Sequence, residues 1–351
     1  MRLMQVMAGG AAGGAEAFFV RLTCALAAAG VAEMAVIRRH PGRAAELRAA
    51  GVETLELPFG GLFDLTTGSR LKRAIAAWRP QVVLAWMNRA ARFTPKGPYV
   101  LVGNLCGYYS LKYYRRCDHL IGPTPDVVAH MRRGGWPEAR THTVPNFAVP
   151  PRPDAEPVPR ASLATPEGAP LLLAIGRLHR VKGLDLLLAA LARLPRAYLW
   201  IAGEGPERVA LERQAAALGV GERVRFLGWR ADVAELLLAC DAFVLPSRHE
   251  SFGIVVLEAW AAGKPVIAAA APGPAFLIEP GRTGLLTPVE DPRALASAIA
   301  GLLADPERAR ALGAAGRAAY LQGFTEAAVT ARYLALLERL AETHLPGAVR
   351  R

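Results

Sequence analysis

Cysteine is scarce in this chain of 351 residues. There are four, Cys24, Cys106, Cys117 and Cys240, far apart, and none forms a C-x2-C pair. That spacing argues against a zinc or dithiol redox site and for reduced thiols. No Asp-x-Asp pair or other metal-ligand cluster occurs, so metal-assisted departure of a phosphate is not indicated, and no metal or cofactor is expected. No uncharged apolar run reaches the length of a membrane span. Glycines and Glu16 break up the opening residues, which therefore read as a strand and a Gly-rich turn rather than a secretory signal. The expectation is a cytoplasmic protein.

Hydrophobic residues make up 52% and charged residues 21%, an ordinary globular balance rather than a disordered one. The length suffices for two domains with separate cores. The net charge of +12 is uneven: residues 1–150 carry 19 Lys/Arg against 9 Asp/Glu, and residues 151–351 carry 23 against 21. A basic first half points to an anionic partner such as a membrane surface, a phosphorylated glycolipid or nucleic acid, although charge alone identifies no ligand.

Short β-type runs alternate with amphipathic helical runs. LMQVMA, MAVIRR, VETLEL, QVVLAW and YVLVGN read as strands, with helices such as 15–29 and 69–78 between them. DHLIG, a helix over 125–133 and THTVPN follow. Apolar strands alternating with helices predict a parallel sheet covered on both faces. Residues 151–170 are Pro-rich and without apolar period, which predicts an interdomain linker between residues 1–150 and 171–345. The alternation then restarts with LLLAIG, YLWIAG, VRFLG, DAFVLP and PVIAAA, and the tail from about 292 to 343 reads as helical. The simplest α/β architecture is two Rossmann-like domains facing across a cleft, with a helical C-terminal tail.

The segment richest in chemistry is CDAFVLPSRHESFGIVVLEAWAAGKPVIA. A strand ends near Leu245, a polar loop runs over 246–251, and a helix starts near Gly253 and stops at Gly263, with Lys264-Pro265 beyond. The loop and helix start then lie at the carboxyl end of a parallel strand, where open α/β sheets bind ligands. The N–H groups of Phe252, Gly253, Ile254 and Val255 suit a diphosphate. Glu250 in the loop and Glu258 in the helix are placed to hold two parts of one extended ligand, such as the hydroxyls of a sugar and of a ribose.

A second segment, LLLAIGRLHRVKGLDLLLAAL, leads from a strand through Gly176 to Arg177 and Lys182, cations suited to a leaving diphosphate. Strand ends at Gly203 and at Gly228-Trp229-Arg230 could shape a base and ribose pocket; for Trp229 a packing role is as good a reading. Near the start, Gly13 and Gly14 allow close backbone approach before a helix. Such a turn would also fit a nicotinamide-dependent oxidoreductase, but Arg38 and Arg39 stand where that reading expects an acidic residue.

With these motifs in hand, residues 171–288 resemble the C-terminal domain of family 4 glycosyltransferases, a retaining group of GT-B fold. The resemblance rests on E-x7-E from Glu250 to Glu258, the GR...KG turn with Arg177 and Lys182-Gly183, the AGEGP and FLG turns, and the GRTGLL run from Gly281 to Leu286. GGAE from Gly13 to Glu16 and the VPN step from Val144 to Asn146 extend it, in outline, over the first half. It implies a nucleotide-diphosphate sugar as donor, a cell-surface glycan or glycolipid of lipopolysaccharide core or exopolysaccharide type as acceptor, and no nucleic acid. Glu258 would hold the ribose and Glu250 the transferred hexose, beside the N–H groups of Phe252 to Ile254. Arg177, Lys182 and the backbone at Gly14 and Val255 would hold the diphosphate. Transfer would be a front-face displacement with retention, through an oxocarbenium-like state.

Where many relatives have a His near the transferred sugar, this chain has Cys106 in GNLCGYYSLKYYRR. A thiol is a poor substitute for imidazole. An alternative is therefore a non-catalytic relative that binds nucleotide sugar or partners an active enzyme. The same segment joins Tyr108, Tyr109, Tyr113 and Tyr114 with Lys112, Arg115 and Arg116, a mixture suited to a sugar-phosphate acceptor or to peripheral contact with the inner face of the membrane.

Overall fold

The computed structural model describes residues 1–10, 13–60, 64 and 66–344. The chain divides into two compact units, one formed by Met1–Asn146 and the chain from Glu326 on, the other by Phe147–Thr325.

The first unit runs β1 (Arg2–Met7), α1 (Gly14–Ala28), β2 (Ala32–Arg38), α2 (Pro41–Ala49), β3 (Glu53–Leu57), α3 (Thr67–Trp78) and β4 (Val82–Trp86). It continues with α4 (Met87–Phe93), β5 (Val100–Asn104), β6 (His119–Gly122), α5 (Pro125–Arg133) and β7 (Thr141–Thr143). The sheet order is β3-β2-β1-β4-β5-β6-β7, all parallel. Its central strands are largely apolar because both faces are covered: every residue of β4 and β5 is buried. Prolines start α2 and α5, where an N–H has no helical partner to lose. Each is capped from the preceding residue: His40 Nδ1 accepts from Arg43 N (3.0 Å), and Thr124 Oγ1 from Val127 N (3.3 Å).

The second unit runs β8 (Leu171–Ile175), α6 (Leu184–Leu191), β9 (Tyr198–Ala202), α7 (Arg208–Ala217), β10 (Val224–Gly228), α8 (Val233–Ala239) and β11 (Ala242–Leu245). Then come α9 (Ile254–Ala261), β12 (Val266–Ala269), α10 (Pro272–Leu277), β13 (Leu285–Thr287), α11 (Pro292–Leu303) and α12 (Pro306–Gly323). The parallel sheet is ordered β10-β9-β8-β11-β12-β13, the doubly wound Rossmann pattern. In both sheets the strand order reverses beside the first strand, between β1 and β4 and between β8 and β11. Such a switch point opens a crevice at the carboxyl ends of the strands.

Two parts of the domain expectation need correction. The helical tail does not belong wholly to the second domain. Asp291-Pro292 and Asp305-Pro306 begin separate helices, the aspartates accepting from Arg293 N, Ala294 N and Arg308 N at 2.9 Å. The last helix, α13 (Glu326–His344), belongs to the first unit. Tyr333 fixes it there: its ring lies 6.4 Å from that of Phe18 on α1, and its hydroxyl accepts from Asn104 Nδ2 at 3.2 Å. The Pro-rich stretch 151–170 is likewise part of the second unit. Arg160 pins it, donating to the carbonyls of Ala239 (2.8 Å) and Ala169 (2.9 Å) and to Asp241 Oδ1 (2.8 Å).

Candidate functional site

In the second unit, the two strands at the switch point carry the two segments singled out by their motifs. The turn after β8 holds Arg177 and Lys182; the loop after β11 holds Glu250. They are in direct contact. Gly183 sits at φ +65°, and a Cβ there would run into the carbonyl oxygen of Pro246, so both the conformation and the close approach require glycine. The carbonyl of Val181 accepts from Arg248 N (2.9 Å) and His249 N (3.2 Å). The contact ends in an ion pair between Lys182 Nζ and Glu250 Oε2 at 2.6 Å, with both side chains largely buried.

Arg248 ties the same loop to two further elements. It donates to both oxygens of Asp185, at the start of α6, at 2.6 Å each, to Glu290 Oε1 at 2.5 Å and to the carbonyl of Arg180 at 2.9 Å. Burial pushes the Asp185 carboxyl up, but the Arg248 fork outweighs it and holds the group below its ordinary value. The same bonds, from Asp185 first and Glu290 second, raise the guanidinium of Arg248. The clamp is thus a charged, bidentate contact and rigid by its geometry.

Gly253 caps α9 at φ +88°. Phe252 is buried beside Gly273, whose N–H donates to the Glu250 carbonyl at 2.8 Å, and a Cβ on Gly273 would collide with the Phe252 backbone. The backbone around Phe252, Gly253, Ile254 and Val255 is therefore held in place where the helix N-terminus favours an anion. Glu258 is half-buried in the helix, surrounded in sequence by the core residues Val256, Leu257, Ala259 and Trp260. Gly203 packs edge to edge on the Gly176 carbonyl, so the turn after β9 joins the same cluster. Arg177 is exposed. Trp229 is 70% exposed, which removes the packing reading of this residue. Arg230 is paired with Asp232.

In the first unit, the Gly-rich turn after β1 is organised by Glu16. Its Oε1 accepts from Gly10 N at 2.7 Å, and Cβ atoms on Gly9 or Gly13 would strike this carboxylate. Arg43 donates to the Gly10 carbonyl at 3.0 Å. Gly13 precedes α1 and Gly14 is its first residue. Cys106 follows β5 on the same carboxyl edge of the sheet. Burial, with a further push from Glu16, raises its thiol to about 12. It is therefore a neutral weak donor at physiological pH, neither base nor nucleophile.

Sequence reasoning missed Arg248, Asp185 and Glu290 as a supporting group, and Glu16 as the organiser of the Gly-rich turn. The Arg248 partners lie 63 and 42 residues away, so no local pattern reveals them. Glu16 stands in the sequence as a charge in the opening run and the last letter of GGAE, neither of which reveals this role.

Two family models match the chain: "Glycosyl transferases group 1" over residues 156–319 and "Glycosyltransferase Family 4" over residues 12–150. Among curated relatives, the lipopolysaccharide core biosynthesis glycosyltransferase LpsE of Rhizobium meliloti is 36% identical over 336 residues, covering 93% of this chain and 96% of LpsE. LpsD of the same organism, with the same description, is 37% identical over 338 residues, covering 94% of this chain and 96% of LpsD. Among solved structures, HepE of Anabaena in complex with UDP superposes with a TM-score of 0.84 at 22% identity, covering 97% of this chain and 100% of HepE.

Proposed function

The chain belongs to the family 4 glycosyltransferases, and from that premise we propose that it moves a hexose, with retention, from a nucleotide-diphosphate sugar to a lipopolysaccharide core or related cell-surface glycan. Glycosyl transfer and the GT-B fold follow from the family itself. The observation that carries the finer reading is the convergence of Arg177, Lys182, Glu250 and the start of α9 at the β8/β11 switch point. Arg177 and Lys182, with the backbone N–H groups of Phe252 to Val255, stabilise the departing diphosphate. Glu258, fixed by its helix, accepts from the ribose hydroxyls, and Glu250 accepts from the sugar. The acceptor is supported by the descriptions of LpsE and LpsD, which match nearly end to end. The proposal includes peripheral contact of the basic first unit with an anionic membrane face, supported by its excess of Lys and Arg.

The test is nucleoside diphosphate release from a panel of UDP-, GDP- and ADP-sugars, with and without a lipopolysaccharide core acceptor. One donor should be turned over faster with acceptor, and the product anomer should match the donor's. Release from no donor would remove the catalytic reading, and an inverted product would remove retention.

A further inference from the structure

The segment after β5 turns cations outward from a fixed frame. Leu111, Tyr114 and Cys117 recur at every third position. Tyr114 and Cys117 are buried, and Leu111 packs into the space a Cβ on Gly134 would occupy. Backbone bonds from Tyr114 N to the Leu111 carbonyl (3.0 Å) and from Cys117 N to the Tyr114 carbonyl (2.8 Å) close successive turns. Just upstream, Tyr108 donates to Asp126 at 2.5 Å. Lys112, Arg115 and Arg116 are thereby left exposed on a pegged backbone. Arg92, in the last turn of α4, joins them, and with Tyr113 these residues line a cavity of about 360 Å³.

That wall contains four cations and no carboxylate. Several arginines elsewhere are paired, as in Arg48–Glu56, Arg132–Glu138, Arg160–Asp241, Arg208–Glu212 and Arg248–Asp185. Among the described residues, Arg92, Arg115 and Arg116 have no such partner. Lys112 has only the Tyr113 ring, 5.1 Å from its Nζ. Like charges gathered round a concavity repel, and an anion seated among them relieves the repulsion. Arginine forks match phosphate oxygens, and a phosphomonoester carries about −1.5 to −2 charges, so four cations suit two phosphate groups.

We propose that this cavity binds phosphate groups carried by the acceptor, an inference that rests on the glycosyltransferase reading only for the identity of the carrier. The cavity is lined by the last turn of α4 and by the segment that leads from β5 into the amino end of β6. Discrete phosphates fit better than an inserted bilayer. None of the exposed large apolar side chains belongs to the described part of the first unit, whereas a membrane-inserting surface presents such residues.

The experiment is calorimetric titration with inorganic pyrophosphate in an Arg177→Ala/Lys182→Ala background, which disables the donor turn. Binding should persist there. It should weaken roughly tenfold or more when Arg115→Ala/Arg116→Ala or, on the other wall, Arg92→Ala is added, the size of one lost charge-assisted bond. Unchanged pyrophosphate affinity in both added variants would overturn the proposal. So would an effect confined to phosphatidylglycerol vesicles over phosphatidylcholine ones, which would make the patch a membrane surface. Nucleoside diphosphate release by the wild-type protein is measured separately. Release without pyrophosphate binding removes the cavity alone; pyrophosphate binding without release removes the acceptor as the carrier.

Discussion

Lys182 and Glu250, assigned to opposite ends of one donor molecule, hold each other in this structure, with Nζ 2.6 Å from Oε2. Under the proposed function, a diphosphate at Lys182 competes with Glu250 for the ammonium, and a carboxylate released in that exchange is free to accept from the sugar.

The first prediction follows from that exchange. Glu250→Gln should leave nucleoside diphosphate affinity unchanged or slightly improved, because a neutral amide holds Lys182 less strongly than the carboxylate does, while turnover of the intact donor falls. Glu258→Gln should weaken nucleoside diphosphate binding by about 1.5–3 kcal/mol, the scale of a hydrogen bond to a charged group. Titration calorimetry beside single-turnover rates separates the two. Equal weakening by both substitutions would refute the division of roles.

Arg248 touches no expected donor atom, so its effect should be indirect. Arg248→Ala releases Asp185 and Glu290 and loosens the loop that carries Glu250, and turnover should fall about tenfold or more. Arg248→Lys keeps the charge but loses the fork and should recover only part of the rate. The loss should fall on kcat more than on nucleoside diphosphate affinity. Wild-type kcat in the alanine variant would contradict a positioning role.

Cys106 should matter little as an acid or base. With its thiol raised to about 12, the pH–rate profile of the wild-type enzyme should show no break from this group between pH 6 and 10. Cys106→Ala should change turnover less than about tenfold, consistent with the loss of a weak donor. A profile whose basic limb disappears in the alanine variant would show that the thiol titrates in the reaction.

Glu33 gives the fold a pH dependence. It lies in the core on β2, accepts from Gln5 Nε2 at 2.8 Å, and Gln5 Oε1 accepts in turn from Trp86 Nε1 at 2.9 Å. Its Oε2 is buried without a hydrogen-bond partner, and burial raises the carboxyl from 4.5 to about 8. Below pH 4.5 the group is neutral folded or unfolded. From 4.5 to 8 only the unfolded chain ionises, so stability falls as pH rises, and it levels off above 8. Glu33→Gln should therefore match the wild type near pH 4.5 and exceed it at pH 8.5 by on the order of 2–4 kcal/mol. Thermal or urea unfolding across this range checks it, and a gap that does not widen with pH would contradict it.

The sheet was legible because parallel strands buried on both faces are written as apolar runs such as VVLAW and LLLAI. The donor turns were legible because glycine positions and strand-end cations are local signals, as at Gly183 and Lys182. What the sequence hid was long-range pairing. Arg248 reads as one more loop cation until Asp185 and Glu290 surround it. The tail reads as helical, but nothing in the sequence of α13 says that Tyr333 packs against Phe18. The Tyr and Lys/Arg run after β5 is plain in the sequence, but Arg92, which completes the cavity, stands 20 residues before Lys112.

The most direct measurement is the rate of nucleoside diphosphate release from the preferred nucleotide sugar by the wild-type protein and by Arg177→Ala and Lys182→Ala. Both residues lie in the turn after β8, so each variant should fold normally, with a far-UV spectrum like that of the wild type. The expected result is a fall in turnover of about 10²–10³ for each, the scale for losing one preorganised donor to developing charge. Near-wild-type turnover in both variants would contradict the placement of the leaving diphosphate at the β8/β11 switch point.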